Sequence, residues 1–384
     1  MAALLDMTTT VGDMSDFEVS AALRAEVRLA LTSGVGPRTR NLLIERFGDA
    51  EAIFAAAPSD LRLVGGVRPK IAAAIVAARQ IDIDAEIDVC RRNGIAILTQ
   101  ADARYPRSLR EIPDPPGVLF MRGELLPADV LAVAIVGSRH ATTYGLAQAE
   151  RLSAGLARAG LTIVSGLARG IDGAAHRAAL AAGGRTIAVL GGGLLRMYPP
   201  EHAPLAAEVA QAGAVLSESP PQVAPMGGAF PQRNRIITGM SLGTIVVEAS
   251  DRSGALISAR HAMEQGREVF AVPGRVDNRM ARGCHRLIRD GARLVETVDD
   301  VLEELGPLVA PAARANGEEI RHPAELQLND IERQVLQNID GDPTSIDAII
   351  SRSGLPTHQV LSTISVLEIR RVIRRISGNS VARI

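Results

Sequence analysis

The sequence predicts an α/β fold whose centre is a doubly wound parallel sheet, with a helical module before it and a small helix-and-strand module after it. Three observations carry that prediction. Residues 131–305 alternate short uncharged apolar runs with alanine-rich stretches of helical length, the pattern of buried parallel strands and crossover helices. One run, Val133-Ala134-Ile135-Val136, stops at Gly137 and turns through Ser138, Arg139 and His140 into a helix near Tyr144. Residues 20–90 and 327–384 lack the alternation and keep helical spacing. A glycine turn between a buried strand and a helix start is a ready anion site, and Arg139 adds a forked cation suited to phosphate.

In chain order, residues 1–20 are small and polar and read as a flexible N-terminus. Residues 21–92 form the helical module. Leu23, Val27 and Ala30 share a helical spacing, and Gly34-Val35-Gly36-Pro37 precedes an apolar helix through Leu42-Leu43-Ile44. A second copy, Gly65-Gly66-Val67-Arg68-Pro69, precedes Ile71 to Ala78. Helix, glycine turn, helix, twice over, is similar to a helix-hairpin-helix or SAM-like module, whose turns offer backbone N–H groups to a DNA phosphate. An ordinary helical hairpin gives the same pattern.

Residues 93–305 form the extended sheet domain. Gly94 to Thr99 and Val118-Leu119-Phe120-Met121 read as strands bridging into it. Further strands are expected at 132–137, 161–165, 186–190, 214–217, 244–248, 268–272 and 293–295, with helices at 145–159, 171–182 and 202–211. Residues 306–326, rich in Pro, Ala and charge, read as a linker. In 327–384, Ile331, Val335 and Leu336 share a helix face. Residues 345–350, the turn Gly354-Leu355-Pro356 and a helix over 357–368 read as helix-turn-helix, and two short strands follow, at 370–376 and 380–382. Together these resemble a winged helix, in which the helix and the wing arginines Arg370, Arg371, Arg374 and Arg375 contact DNA. Acidic residues balance those arginines, so a protein-contact or structural module fits equally.

Ligands of doubly wound sheets sit outside the C-terminal strand ends. The residues there are polar and small: Gly137, Ser138, Arg139; Ser165-Gly166-Leu167-Ala168-Arg169-Gly170-Ile171-Asp172 with His176; Gly191-Gly192-Gly193 and Tyr198-Pro199. Next come Glu218 and a long loop reaching Phe230-Pro231-Gln232-Arg233-Asn234-Arg235, then Glu248 with Ser253-Gly254 opening a helix, then Pro273-Gly274-Arg275. Several such turns on one edge describe an extended phosphate-lined groove rather than one nucleotide pocket.

Composition bounds the partners. The formal net charge is −1, so the whole surface is not a polycation and a nucleic-acid site must be a local arginine concentration. Lys70 is the only lysine, which excludes a Walker loop at Gly137. Aromatics make up 2%, so base stacking rests on few side chains; Tyr144, Tyr198 and Phe230 lie near strand ends. Cys90 and Cys284, far apart, exclude a multi-cysteine zinc site or a disulfide framework. With no signal-like start and no apolar run of 18 residues, the chain reads as cytoplasmic, with no membrane partner.

The central motifs resemble the DprA/Smf family of DNA-processing proteins. The matching segments are Val136-Gly137-Ser138-Arg139, Ser165 to Asp172 with His176, Tyr198-Pro199, Ser217-Glu218, Phe230-Pro231-x-Arg233-Asn234-Arg235, Val247-Glu248-Ala249, Ser253-Gly254-Ala255-Leu256 and Val272-Pro273-Gly274. The resemblance implies a Rossmann-like sheet that binds single-stranded DNA, a homodimer through that domain, and loading of the RecA recombinase in natural transformation. It implies no enzyme activity and no cofactor. The DNA-facing residues it implies are Gly137, Ser138, Arg139, Ser165, Gly166, Arg169, Gly170, Asp172, His176, Phe230, Arg233, Asn234, Arg235, Ser253 and Gly254. His285 stands where the family tends to have asparagine.

Two other chemistries deserve weighing. Ser165, Asp172 and His176 evoke a hydrolase, but no G-x-S-x-G elbow surrounds Ser165; Asp172 reads as a helix cap and His176 as part of a polar network or a phosphate contact. Gly243-Thr244-Ile245-Val246-Val247-Glu248 is similar to part of the signature of nucleoside-monophosphate phosphoribohydrolases. Their Pro-Gly-Gly-x-Gly-Thr run is absent here.

Overall fold

The computed structural model describes residues 19–306, 312–313, 319–320, 328–369, 372–377 and 379–383. Most of the expected flexible start and of the 306–326 linker, and Arg370 and Arg371 of the expected wing, lie outside the described residues. The chain divides into two compact units, Met1–Asp88 and Val89–Ile384.

The first unit is helical: α1 (Ala21–Leu31), α2 (Pro37–Phe47), α3 (Ala50–Ala55), α4 (Pro58–Leu61) and α5 (Pro69–Ala78), with α6 (Ile83–Arg92) leading out of it. Ser20 caps α1, its hydroxyl accepting from the Leu23 N–H at 3.1 Å. Leu29, Leu43, Ile53, Leu61, Val67 and Ile75 form its core.

The second unit is built on a nine-stranded sheet. In chain order it contains β1 (Ala96–Thr99), α7 (Arg107–Arg110), β2 (Val118–Gly123), β3 (Ala132–Val136), α8 (Thr143–Arg158), β4 (Thr162–Ser165), α9 (Ile171–Ala181), β5 (Thr186–Leu190) and α10 (Ala203–Ala212). There follow β6 (Ala214–Ser217), α11 (Ala229–Gly239), β7 (Gly243–Val246), α12 (Ala255–Glu264), β8 (Glu268–Ala271), α13 (Arg282–Arg289), β9 (Arg293–Leu294) and α14 (Val298–Leu305). The strand order is β1-β2-β6-β5-β4-β3-β7-β8-β9. From β6 to β9 every pair is parallel. The two bridging strands belong to the same sheet: β1 pairs with β2, and β2 with β6, both antiparallel. The chain winds outward from β3 through β4, β5 and β6, then returns to β7 on the other side of β3. The strand order therefore reverses between β3 and β7, and a crevice opens at such a switch point.

The central strands are mostly apolar because both faces are covered. On β3, Ala134 and Val136 face one layer, with Ile236, Ala259 and Leu287 from α11, α12 and α13. Val133 and Ile135 face the other, with Leu152, Ala175 and Leu302 from α8, α9 and α14. Each fully buried large aliphatic or aromatic side chain contributes about 1.5–3 kcal/mol, so these layers outweigh the ion pairs, which fix geometry. Asp129 shows the latter role. It accepts from Arg185 Nε and Nη2, both at 2.8 Å, and from the Thr162 hydroxyl at 2.7 Å, tying the approach to β3 to β4 and β5.

Two stretches remain beyond α14. β10 (Ala312–Ala313) and β11 (Glu319–Ile320) pair antiparallel. The last stretch is a winged helix of α15 (Asp330–Leu336), β12 (Thr344–Ser345), α16 (Ile346–Ser353), α17 (Thr357–Ile369), β13 (Ile373–Ser377) and β14 (Ser380–Arg383), with β14 central in its sheet. Val335, Leu336, Ile349, Val360, Ile364 and Val381 fill its core. Ile331 does not share the buried face of Val335 and Leu336; it is 41% exposed. The Asn329–Glu332 capping box starts α15, turning that helix so that Glu332, not Ile331, is covered. Among the described residues no helix is long and apolar enough to cross a membrane.

Candidate nucleic-acid interface

A cleft of about 670 Å³ opens at the switch point, walled by the turns after β3, β4 and β7 and by the first turns of α11 and α12. Gly137 is required where β3 ends: a Cβ there would lie 2.5 Å from Ile171 Cγ1. Gly170 is required where α9 begins, at φ +72°, with its Cβ position 2.2 Å from the Ser138 carbonyl oxygen. These close approaches lock the two turns together. The Ser138 N–H donates to the Glu248 carbonyl at 2.8 Å, and the Ile171 N–H to the Ser138 carbonyl at 3.2 Å.

That locking corrects the expectation that the glycine turn after β3 is a ready anion site, since the Ser138 and Ile171 amides are already bonded within the fold. The positive end of α8 is likewise occupied by the chain's own acid. Glu248, 2% exposed, accepts from the Thr142 N–H at 2.8 Å and the Thr142 hydroxyl at 2.6 Å. The Thr142 hydroxyl in turn caps Gly145 N at 3.1 Å. Side chains, not these amides, are what the cleft offers an anion.

The expected loop through Phe230 to Arg235 is a helix, and this separates its two arginines. Arg233 is buried at the cleft floor, where Nη1 donates to the Gly166 carbonyl at 2.7 Å and to the Val189 carbonyl. Burial pushes its guanidinium down to about 10, so it stays charged at neutral pH. Arg235, 2% exposed, pairs with Asp114 at 3.1 Å and Glu218 at 2.7 Å. It does not line the cleft, and a phosphate contact by Arg235 is withdrawn: its charge is already neutralised away from solvent. Asn234 lies between them, accepting from Arg233 Nε at 3.3 Å.

The loop after β4 is held from below. Asp172 accepts from the Gly166 N–H at 3.2 Å, and burial raises its carboxyl despite the nearby Arg233 charge. It is a loop anchor in the first turn of α9, whose N-cap is Gly170. Leu167 takes φ 55°, and its carbonyl accepts from His202 Nδ1 at 2.8 Å. Such an outlier persists only where its surroundings hold it.

Ser165 and His176 are also corrected as DNA contacts, both being 0% exposed. The Ser165 hydroxyl donates to the Ile135 carbonyl at 2.6 Å. The Thr186 hydroxyl donates to the Ile163 carbonyl, so His176 Nδ1–H donates to Thr186 Oγ1, at 2.7 Å. Burial drives the His176 pKa down to about 3. Ser165, Asp172 and His176 thus each serve a different partner, and no hydrolase relay forms. The Gly243-Thr244 run lies in the buried strand β7, away from the cleft.

Exposed Arg139, Tyr198 and Arg169 form a continuous strip with the partly buried Phe230. The Arg139 guanidinium lies 5.0 Å from the Phe230 ring centre, Phe230 lies 5.7 Å from Tyr198 at 54°, and Arg169 lies 5.8 Å from Tyr198. Arg139 is exposed and has no acidic partner among the described residues. Arg169 pairs with Glu201, both half-exposed, a pairing that water and salt screen and that is open to exchange for a phosphate. Gly254 borders the cleft with open space where a side chain would stand. Ser253 lines it as well, its hydroxyl accepting from the Ala255 N–H at 3.3 Å. The expected residues therefore divide: Gly137, Ser138, Arg139, Asp172, Phe230, Arg233, Asn234, Ser253 and Gly254 line the cleft, while Gly166 and Arg169 line an adjoining notch with Tyr198.

Sequence reasoning missed Arg252, an exposed arginine in the turn before Ser253 with no acidic partner among the described residues. Its signal was available: an arginine between a strand end and a helix start. Tyr144 does not line the cleft and donates to the Pro273 carbonyl at 2.8 Å. His285 Nε2 lies 2.9 Å from the Gly274 carbonyl, tying α13 to the turn after β8.

A family model for DNA recombination-mediator protein A matches residues 96–306, and one for the DprA winged helix domain matches residues 319–379. Protein Smf of Escherichia coli is 43% identical over 288 residues, covering 74% of this chain and 76% of that protein. DNA processing protein DprA of Bacillus subtilis is 45% identical over 216 residues, covering 56% of this chain and 73% of that protein. The crystal structure of DprA from Streptococcus pneumoniae superposes with TM-score 0.64 at 39% identity, covering 73% of this chain and 97% of that one. The structure of DprA from Helicobacter pylori, reported for its single-stranded DNA binding mode, superposes with TM-score 0.50 at 30% identity, covering 55% of this chain and 95% of that one.

Two outcomes follow from the buried groups. Arg235→Ala removes the buried guanidinium that Asp114 and Glu218 share and is expected to lower stability by about 2–3 kcal/mol, read from a denaturant midpoint, with oligo-deoxythymidine affinity held within about twofold. A fully stable variant with weakened binding would return Arg235 to the interface. His176 is neutral in the fold but protonates near 6.5 when unfolded. Its contribution to stability is therefore complete above that pH and falls, by about 1.4 kcal/mol per pH unit, as pH drops toward its folded value. The stability gap between the native chain and His176→Gln should narrow on that slope from pH 6 to 4; a pH-independent gap would refute the assignment.

Proposed function

This chain belongs to the DNA recombination-mediator protein A family, the DprA/Smf DNA-processing proteins, and we propose that it binds single-stranded DNA along the strip that crosses its switch-point cleft. The observation that carries this reading is a strip in which two adjacent rings, partly buried Phe230 and exposed Tyr198, are flanked by the exposed arginines Arg139 and Arg169. A single strand presents unpaired base faces between its phosphates. Arginines meet the phosphates, at about 1.5–3 kcal/mol for each charge-assisted hydrogen bond. Rings meet the bases, at about 1–3 kcal/mol for each stacked base. In a duplex the base faces are already stacked, so the rings lose their partner. The solved relative from Helicobacter pylori, described as a single-stranded DNA binder, supports the same choice.

The strip holds and shields the strand without catalysis. Delivery of that strand to the RecA recombinase in natural transformation, homodimerisation through the Rossmann-like domain and a cytoplasmic setting complete the proposal, and rest on family membership. The winged helix adds an accessory contact. Its α17 carries no lysine or arginine, so DNA reading by that helix would lack the usual cation.

An oligonucleotide should outcompete its own duplex at fixed salt; equal or tighter duplex binding at the strip would overturn the reading. Arg139→Ala should weaken oligo-deoxythymidine binding by about tenfold, roughly 1.4 kcal/mol, and make its salt dependence shallower, with the melting temperature unchanged. Normal binding by the folded variant would move the site elsewhere.

A further inference from the structure

The first unit repeats itself in its backbone. Thr32 N–H donates to the Leu29 carbonyl, Val35 N–H to Thr32 and Arg40 N–H to Gly36. Val64 N–H donates to Leu61, Val67 N–H to Val64 and Ala72 N–H to Arg68, the same three bonds displaced by 32 positions. Gly34 and Gly66 both take positive φ, 85° and 84°. Leu29 matches Leu61, Leu43 matches Ile75, all buried, and Pro37 and Pro69 open α2 and α5.

The two copies face each other across a local twofold. The Cβ position of Gly34 lies 3.5 Å from Ile71 of α5, and that of Gly66 lies 4.0 Å from Leu42 of α2. Each turn thus packs on the helix that follows the other turn. A translation would not give that exchange; a twofold does.

Charge follows the same symmetry. Arg38 and Lys70 hold the same place in the two copies, both exposed and without an acidic partner among the described residues. The only lysine of the chain is at that place. Exposed Arg62 and Arg68 lie close by in sequence, and no acid occurs between Glu26 and Glu45 or between Asp60 and Asp82. The segments around both turns are therefore cationic although the whole chain is near neutral.

We propose that this face binds duplex DNA, one cation of the pair meeting a phosphate on each strand. The two backbones of a duplex are related by twofold axes across the helix, and a twofold pair of cations matches them; a single strand has no such symmetry. The turns carry no aromatic residue, so the contact is with backbone and independent of base sequence. It is a weaker contact than that of the strip and resides on a different unit, so the chain holds a single strand and a neighbouring duplex segment through different residues.

The test uses the full chain, a duplex of about 20 base pairs and oligo-deoxythymidine, read by fluorescence anisotropy. Arg38→Glu with Lys70→Glu should weaken duplex binding by about tenfold or more and leave oligo-deoxythymidine binding within about twofold. Each single change should carry near half of the effect on a logarithmic scale. Arg46→Glu, the same charge change on an exposed residue in the last turn of α2, should do little. Arg38→Gln with Lys70→Gln, which keeps the side-chain stems, should show the same loss at smaller size. Unchanged duplex binding in the double variant, equal loss with Arg46→Glu, or one residue carrying the whole effect would overturn the proposal. Failure of the strip would appear separately, as normal oligo-deoxythymidine binding by Arg139→Ala.

Discussion

A guanidinium almost removed from water sets the geometry of the cleft. Arg233 ties the carbonyl ends of β4 and β5, at Gly166 and Val189, to the first turn of α11. Taking a cation out of water costs several kcal/mol, and carbonyl dipoles together with the buried Asp172 offset that cost. The same turn of α11 carries Phe230, against which the Gly191 backbone packs so closely that a Cβ would meet the ring at 2.8 Å. Phe230 in turn supports Arg139 on one side and Tyr198 on the other. One buried charge therefore fixes where the exposed charges and rings stand.

The constraint also decides what kind of anion the cleft suits. A nucleotide pocket at a switch point relies on free amides and a helix start. Here the Ser138 amide is given to Glu248, the Ile171 amide to Ser138, and the start of α8 to the Glu248 carboxylate. A compact diphosphate would meet closed backbone. Long side chains above that closed floor can follow a flexible polyanion, with little demand on its sequence.

Much of this was legible in the sequence. Both faces of the central strands are covered, so Val133 to Val136 and Ile187 to Leu190 appear as unbroken apolar runs. The winged helix was legible from its Gly354 turn, which takes φ +65° at the C-cap of α16. The role of each arginine was not. Read as a loop, Phe230 to Arg235 offered two equivalent cations; as a helix, residues two apart diverge by about 200°, which sends Arg233 to the cleft and Arg235 to Asp114 in the loop before β2. Asp114 lies 121 positions away in the chain, and no local pattern announces it.

Partnership, rather than residue type, is what sorts the cations of this chain. Arg235 has two acids, Arg233 has carbonyls, and Arg185 has both oxygens of Asp129; each is spent on the fold. Arg169 has one exposed acid, which water and salt screen, so its pairing is exchangeable. Arg139, Arg38 and Lys70 are exposed with no acid among the described residues. In a chain of net charge −1, attraction for a polyanion depends on how many cations escape pairing and where they gather. The antiparallel edge strands contribute to that outcome from a distance. By carrying Asp114 to the back of α11 they neutralise Arg235 there, and the charge left facing the cleft is concentrated at the strip.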